Sequence, residues 1–109
     1  MVGKDRQRSD SWYLDEKKEN KIFFRFVFTP DGDGLEEFAV SYWTMIDEKP
    51  CEIVRYDCSA RETVHIHQFF HKPPKKRILD KEISYDTMQE FIKIIEKNWR
   101  QYLIKFREK

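Results

Sequence analysis

The chain is short of cysteine, glycine and proline, and each scarcity excludes something. Among 109 residues there are two cysteines, Cys51 and Cys58. Along one strand they point to opposite faces and lie roughly 23 Å apart, far beyond disulfide reach. They read as free thiols of a reducing, cytoplasmic protein. There is no Cys-x-x-Cys pair, which argues against a zinc ribbon. No apolar run approaches the roughly 18 residues of a membrane span, and residues 1–8 have no apolar signal core, so no membrane partner is expected. Two of the three glycines, Gly32 and Gly34, fall in one turn with Pro30. Pro50, Pro73 and Pro74 mark a second turn and a loop. The stretches between these breakers are free to form regular elements.

What is abundant is charge and aromatic area. Charged residues make up 38% and aromatics 16%, with a mean hydropathy of −0.83. That balance fits one domain over residues 1–109, with a modest, largely aromatic core under a charged surface. The net charge of +1 is unevenly spread. Residues 22–71 hold 4 basic and 9 acidic side chains, a net of −5, while residues 93–109 hold 6 basic and 2 acidic, a net of +4. An acidic middle and a basic end suit a charged partner or a homodimer, although a basic helix face is more often simply solvated.

Residues 1–10 are polar and read as a disordered arm. Residues 12–14 (Trp-Tyr-Leu) form the first apolar cluster, either a short strand or an anchor. Ile22-Phe-Phe-Arg-Phe-Val-Phe28 is β-rich and too short for a helix. Residues 29–34 carry an Asp31-Gly-Asp33 spacing but lack the further ligands of a calcium loop, and read as a hairpin turn. Strands then follow over 37–46, 52–58 and 64–70. His71-Lys-Pro-Pro-Lys-Lys-Arg77 ends the sheet and is either a solvated connector or a loop touching phosphate through Lys75, Lys76 and Arg77. Ser84 is an N-cap for a helix over 84–107, whose Met88, Phe91, Ile92, Ile95, Trp99, Tyr102, Leu103 and Phe106 share one face. The expected fold is α+β: an antiparallel meander of four strands, or five, over 22–71, with one long C-terminal helix on one face.

The candidate site lies in the hairpin of residues 55–70. Directly opposed strand residues share a face. If Asp57 opposes His65, Arg55 opposes His67, Tyr56 opposes Ile66 and Cys58 opposes Val64. One face is then Val54, Tyr56, Cys58, Val64, Ile66 and Phe70, nearly all apolar. The other gathers Arg55, Asp57, His65 and His67. A one-residue slip would put the charges beside Val64 and Ile66, at the cost of burying unpaired charge. The expected cluster therefore lies on the sheet face away from the helix.

Three chemistries fit it. Two histidines, a carboxylate and an arginine are the parts of metal-free RNA cleavage: His65 and His67 as acid and base, Arg55 on the phosphate, Asp57 fixing a tautomer, with no cofactor. His65, His67 and Asp57 are also three ligands for Zn²⁺ or another metal. Or the histidines merely pair with Asp57, in a module that docks a partner through its edges, its basic helix face, or Trp43 and Phe69.

The run Phe38-Ala-Val-Ser-Tyr-Trp-Thr-Met-Ile46, then Ile53-Val-Arg-Tyr-Asp57, then His65-x-His67, resembles small prokaryotic proteins of the TumE-like kind, toxin members of two-gene toxin–antitoxin modules. The resemblance covers roughly residues 22–82, and Arg55, Tyr56, Asp57, His65 and His67 stand at its motif positions. It implies a cytoplasmic prokaryotic protein, an antitoxin partner, and a toxic action on nucleic acid such as RNA. The chain departs from the pattern at Ser59-Ala60-Arg61, where His-Gly often follows the Arg-Tyr-Asp run.

Overall fold

A computed structural model describes residues 6–109. Six strands and one helix follow in order: β1 (Gln7–Tyr13), β2 (Asn20–Phe28), β3 (Leu35–Ile46), β4 (Lys49–Ser59), β5 (Glu62–Gln68), β6 (Lys75–Ile78) and α1 (Tyr85–Glu108). Each strand pairs antiparallel with the next, giving one sheet in the order β1-β2-β3-β4-β5-β6. The α+β class and the terminal helix are as the sequence implies, but the sheet of four or five strands is overturned. The sheet has six strands and spans 7–78 rather than 22–71.

Both extra strands are edges. Gln7–Tyr13 has no apolar alternation, because five of its residues face solvent and only Trp12 packs toward the core. Lys75–Ile78 is exposed throughout. Lysine on an exposed edge discourages pairing with other chains and hides the strand from a hydropathy reading. Of the expected disordered arm, residues 1–5 lie outside the described residues. Gln7–Asp10 belong to β1, and Arg6 donates from Nη1 to Glu36 Oε1 at 2.9 Å and to the Phe28 carbonyl at 3.2 Å. The connector expected over 71–77 is shorter, since β6 begins at Lys75.

Apart from the start of β4, the even-numbered side chains at the centre of β2 to β5 face α1. Ile22, Phe38, Val40, Tyr42, Val54 and Val64 are fully buried, as are Met88 and Ile95 of the helix. Tyr56 stacks on Phe91 at 4.1 Å between ring centroids, Phe38 meets Phe91 at 6.0 Å, and Tyr42 meets Trp99 at 6.0 Å. Ser84 caps the helix, its Oγ accepting from Thr87 N at 3.1 Å. No helix among the described residues is long and apolar enough to cross a membrane.

One polar pair is sealed in this core. Tyr42 Oη donates to Asn20 Oδ1 at 2.6 Å, and Asn20 Nδ2 donates to Asp15 Oδ2 at 2.9 Å. Burial pushes the Tyr42 hydroxyl well above its ordinary range, so it stays a donor. Tyr42→Phe leaves Asn20 Oδ1 without its donor and is expected to cost about 1–3 kcal/mol. Urea denaturation followed by tryptophan fluorescence measures this.

Candidate functional site

Strands β4 and β5 carry the site. Val54 opposes Gln68, Arg55 opposes His67, Tyr56 opposes Ile66 and Asp57 opposes His65. Tyr56 and Ile66 lie under the helix, and Arg55, Asp57, His65 and His67 share the uncovered face. The opposition of Cys58 to Val64 is not found. The pairing shifts after Asp57, and the next pair is Ser59 with Glu62. Cys58 and Val64 are nevertheless both buried, and burial pushes the Cys58 thiol up to about 11.

The four polar side chains touch in sequence. Arg55 Nε donates to Asp57 Oδ2 at 2.8 Å, and Asp57 Oδ1 meets His65 Nε2 in a close contact. His65 Nε2 lies 2.9 Å from His67 Nε2, and His67 Nε2 lies 3.7 Å from Asp57 Oδ1. His65 Nδ1 lies 2.8 Å from the Thr63 carbonyl. A carbonyl only accepts, so that contact places the ring hydrogen on Nδ1 and leaves the Nε2 lone pair aimed at Asp57 and His67. Asp57 Oδ1 is buried and has no hydrogen-bond donor. The ion-pair contact to His65 brings no hydrogen with it unless the ring takes up a second proton.

Burial separates the two histidines. The His65 side chain is 3% exposed and that of His67 is 20%. Only His67 opens to solvent, with Phe69 stacked parallel to it at 5.8 Å. Burial, and next the Arg55 charge, hold His67 below the ordinary histidine value, while Asp57 opposes them. The shift favours the neutral ring.

One role expected from the sequence changes with this geometry. Arg55 is not a free phosphate clamp, because Nε is given to Asp57 and Nη1 to Glu52 Oε1 at 2.7 Å. Its guanidinium also lies over Phe69, 5.6 Å from the ring centroid, so it orients Asp57. Tyr56, a motif position, lies on the core side as strand parity implies. It is buried under α1, and its hydroxyl is 3.5 Å from that of Tyr102. The basic trio divides between faces, since Lys76 opposes His67 on the site face while Lys75 and Arg77 oppose Gln68 and Ile66. With His71 and Gln68 these three line a basic pocket at the sheet edge.

Two acidic neighbours join the site that strand alternation does not place there. Strict alternation puts Glu52 under the helix. A bulge intervenes: Tyr42 opposes Val54 but Trp43 opposes Glu52, with Ile53 as the extra residue. A bulge re-aims the side chain beside it, and Glu52 joins Arg55. Its carboxyl is raised by burial, which the nearby Arg55 partly offsets. Glu62 pairs with Lys76 and approaches His65 Nε2 to 4.0 Å. The Glu52-x-x-Arg55 spacing is the one hint of this in the sequence, and the strand alternation overrides it.

Further along the same face, Tyr13, Lys21, Phe23, Trp43 and Met45 line a pocket of about 360 Å³. Trp43 is held there by Nε1 donating to Ser41 Oγ at 2.9 Å. The described cysteines are both unpaired. A family described as "Domain of unknown function (DUF7718)" matches residues 4–109. No curated protein and no solved structure matches the chain.

Proposed function

Taking as premise that the chain belongs to the DUF7718 family, whose description names no activity, we propose that it acts on RNA through the open face of its sheet. The Asp57–His65–His67 centre is its reaction site, as in a toxin of a toxin–antitoxin pair. One observation carries this reading. The pairing of five strands lines up Phe23, Ser41, Arg55, His67 and Lys76 in a single row across the uncovered face. Aromatic rings and cations on an exposed sheet are what stack bases and follow a phosphate backbone. The pocket at Phe23 and Trp43 offers a ring surface, and the basic edge at Lys75, Lys76 and Arg77 offers phosphate contacts.

The geometry revises the division of labour. His65 is too buried to meet a substrate, so a pair of exposed acid and base histidines does not fit. His67 is the exposed member of the centre, on the side where a scissile phosphate would lie, and His65, Asp57 and Arg55 lie behind it. The antitoxin would cover this face, and a reducing cytoplasm agrees with two unpaired thiols.

Expression in a bacterial host tests the reading. The wild-type chain should slow growth and degrade cellular RNA, and His67→Ala should do neither. Equal harmlessness of both chains, with intact RNA, would sink it. The second reading, a non-catalytic docking module, rests on the apolar pocket at Trp43. RNA binding without cleavage, unchanged by loss of His67, would favour it.

A further inference from the structure

We propose that Asp57 Oδ1, His65 Nε2 and His67 Nε2 bind one divalent transition-metal ion of the zinc class. The three atoms lie within 4.8 Å of one another. Asp57 Oδ1 and His65 Nε2 present lone pairs, and His67 Nε2 presents a third when its ring hydrogen is on Nδ1. Thr63 fixes the hydrogen of His65 on the far nitrogen, at 2.8 Å, so no donor separates His65 from Asp57. The buried Asp57 Oδ1 has no donor from anywhere else. One extra proton satisfies one pair of these lone pairs, whereas one cation satisfies all three.

The spacing suits such an ion. Ligands about 2.0–2.1 Å from a tetrahedral zinc lie about 3.3 Å from each other. The separations of 2.9 Å (His65 to His67) and 3.7 Å (His67 to Asp57) bracket that value. The close His65–Asp57 contact needs only a small opening. The surrounding partners are those that orient ligands: a carbonyl on the far nitrogen of His65, and the Arg55 guanidinium on the far oxygen of Asp57. Two imidazoles and one carboxylate favour zinc, iron or cobalt over magnesium or calcium. Three protein ligands leave a coordination position open, which is the pattern of a reactive rather than a structural site. His67 is the solvent-facing ligand, so that position opens toward the row proposed to hold RNA.

The charge balance agrees. Asp57, Glu52 and Glu62 surround the point with carboxylates, against Arg55 and Lys76. Three carboxylates against two cations leave the acidic side in excess around this point.

This inference concerns the site of the proposed RNA activity, but metal binding stands or falls separately. Tag-free protein is dialysed against Zn²⁺ or Mg²⁺, then analysed for bound metal and melted by calorimetry. Wild type and His71→Ala, which alters the histidine outside the cluster, should each retain about one zinc per chain. Both should melt higher with Zn²⁺ and not with Mg²⁺. His67→Ala should bind zinc at least about a hundredfold more weakly, since losing a ligand costs no less than losing a partner that orients one. His67 is partly exposed, so this variant is expected to fold; His65→Ala serves as a second variant. Wild type with no bound zinc and no shift, equal shifts from Zn²⁺ and Mg²⁺, or unchanged zinc affinity in His67→Ala overturns the inference. Zinc bound with RNA left intact removes the RNA reading and keeps the metal site. Wild type that takes up no zinc yet cuts RNA does the reverse.

Discussion

Asp57→Asn should leave the chain folded, with a melting temperature equal to or above the wild-type value, and lower RNA cleavage at least about a hundredfold. The change is nearly isosteric. The amide oxygen still accepts from Arg55 Nε, where the carboxylate does so at 2.8 Å. The new amide N–H₂ faces His65 Nε2, and supplies a hydrogen where two acceptors now confront each other. It therefore relieves the unpaired Asp57 Oδ1, and unmade buried hydrogen bonds are costly. It also removes the anionic ligand of the centre. A site tuned for function is destabilised relative to a purely structural one, so activity and stability should move in opposite directions. If the cluster were only a structural pairing, the substitution would leave RNA cleavage unchanged. Calorimetry and an RNA cleavage assay on the same preparation separate the two.

Phe91→Ala should lower the unfolding free energy by about 3–5 kcal/mol. Phe91 is 2% exposed in the second turn of the only helix among the described residues. It stacks on Tyr56 at 4.1 Å and meets Phe38 at 6.0 Å, so it ties α1 to β3 and β4 at once. Tyr56 is the strand neighbour of Arg55 and Asp57, so loosening this contact loosens the back of the site as well. Urea denaturation gives the change in stability. Because a typical domain has only about 5–15 kcal/mol to lose, the variant should sit near the edge of folding at 37 °C. A loss below about 1 kcal/mol would mean that α1 is not the main cover of the sheet.

The central strands and the helix were legible because each buries one face. Ile22, Phe24, Phe26 and Phe28 alternate, and Met88, Phe91, Ile92, Ile95 and Trp99 recur at helical spacing. The same parity put Arg55, Asp57, His65 and His67 together, and the pairing of β4 with β5 follows it from Val54 to Asp57. What parity could not supply was depth. His65 reads as a residue of an open face, but β6 runs beside it, with Ile78 directly opposite. Lys75–Ile78 has no apolar alternation to announce a strand, so the burial of His65 was invisible. Parity also fails wherever a strand bulges. One extra residue, Ile53, moved Glu52 onto the site face and gave Arg55 a second carboxylate. That occupation changes Arg55 from a phosphate clamp into a support for Asp57. The bulge was hidden because Glu-Ile-Val-Arg reads equally well as an unbroken strand.

Cleavage of a single-stranded RNA by the purified wild-type chain, beside His67→Ala with the folding of both verified by calorimetry, tests the central claim most directly. The wild type should cut the RNA, and the variant should be at least about a hundredfold slower while melting within a few degrees of it. RNA left intact by folded wild-type protein, or cut equally by both, would contradict the account.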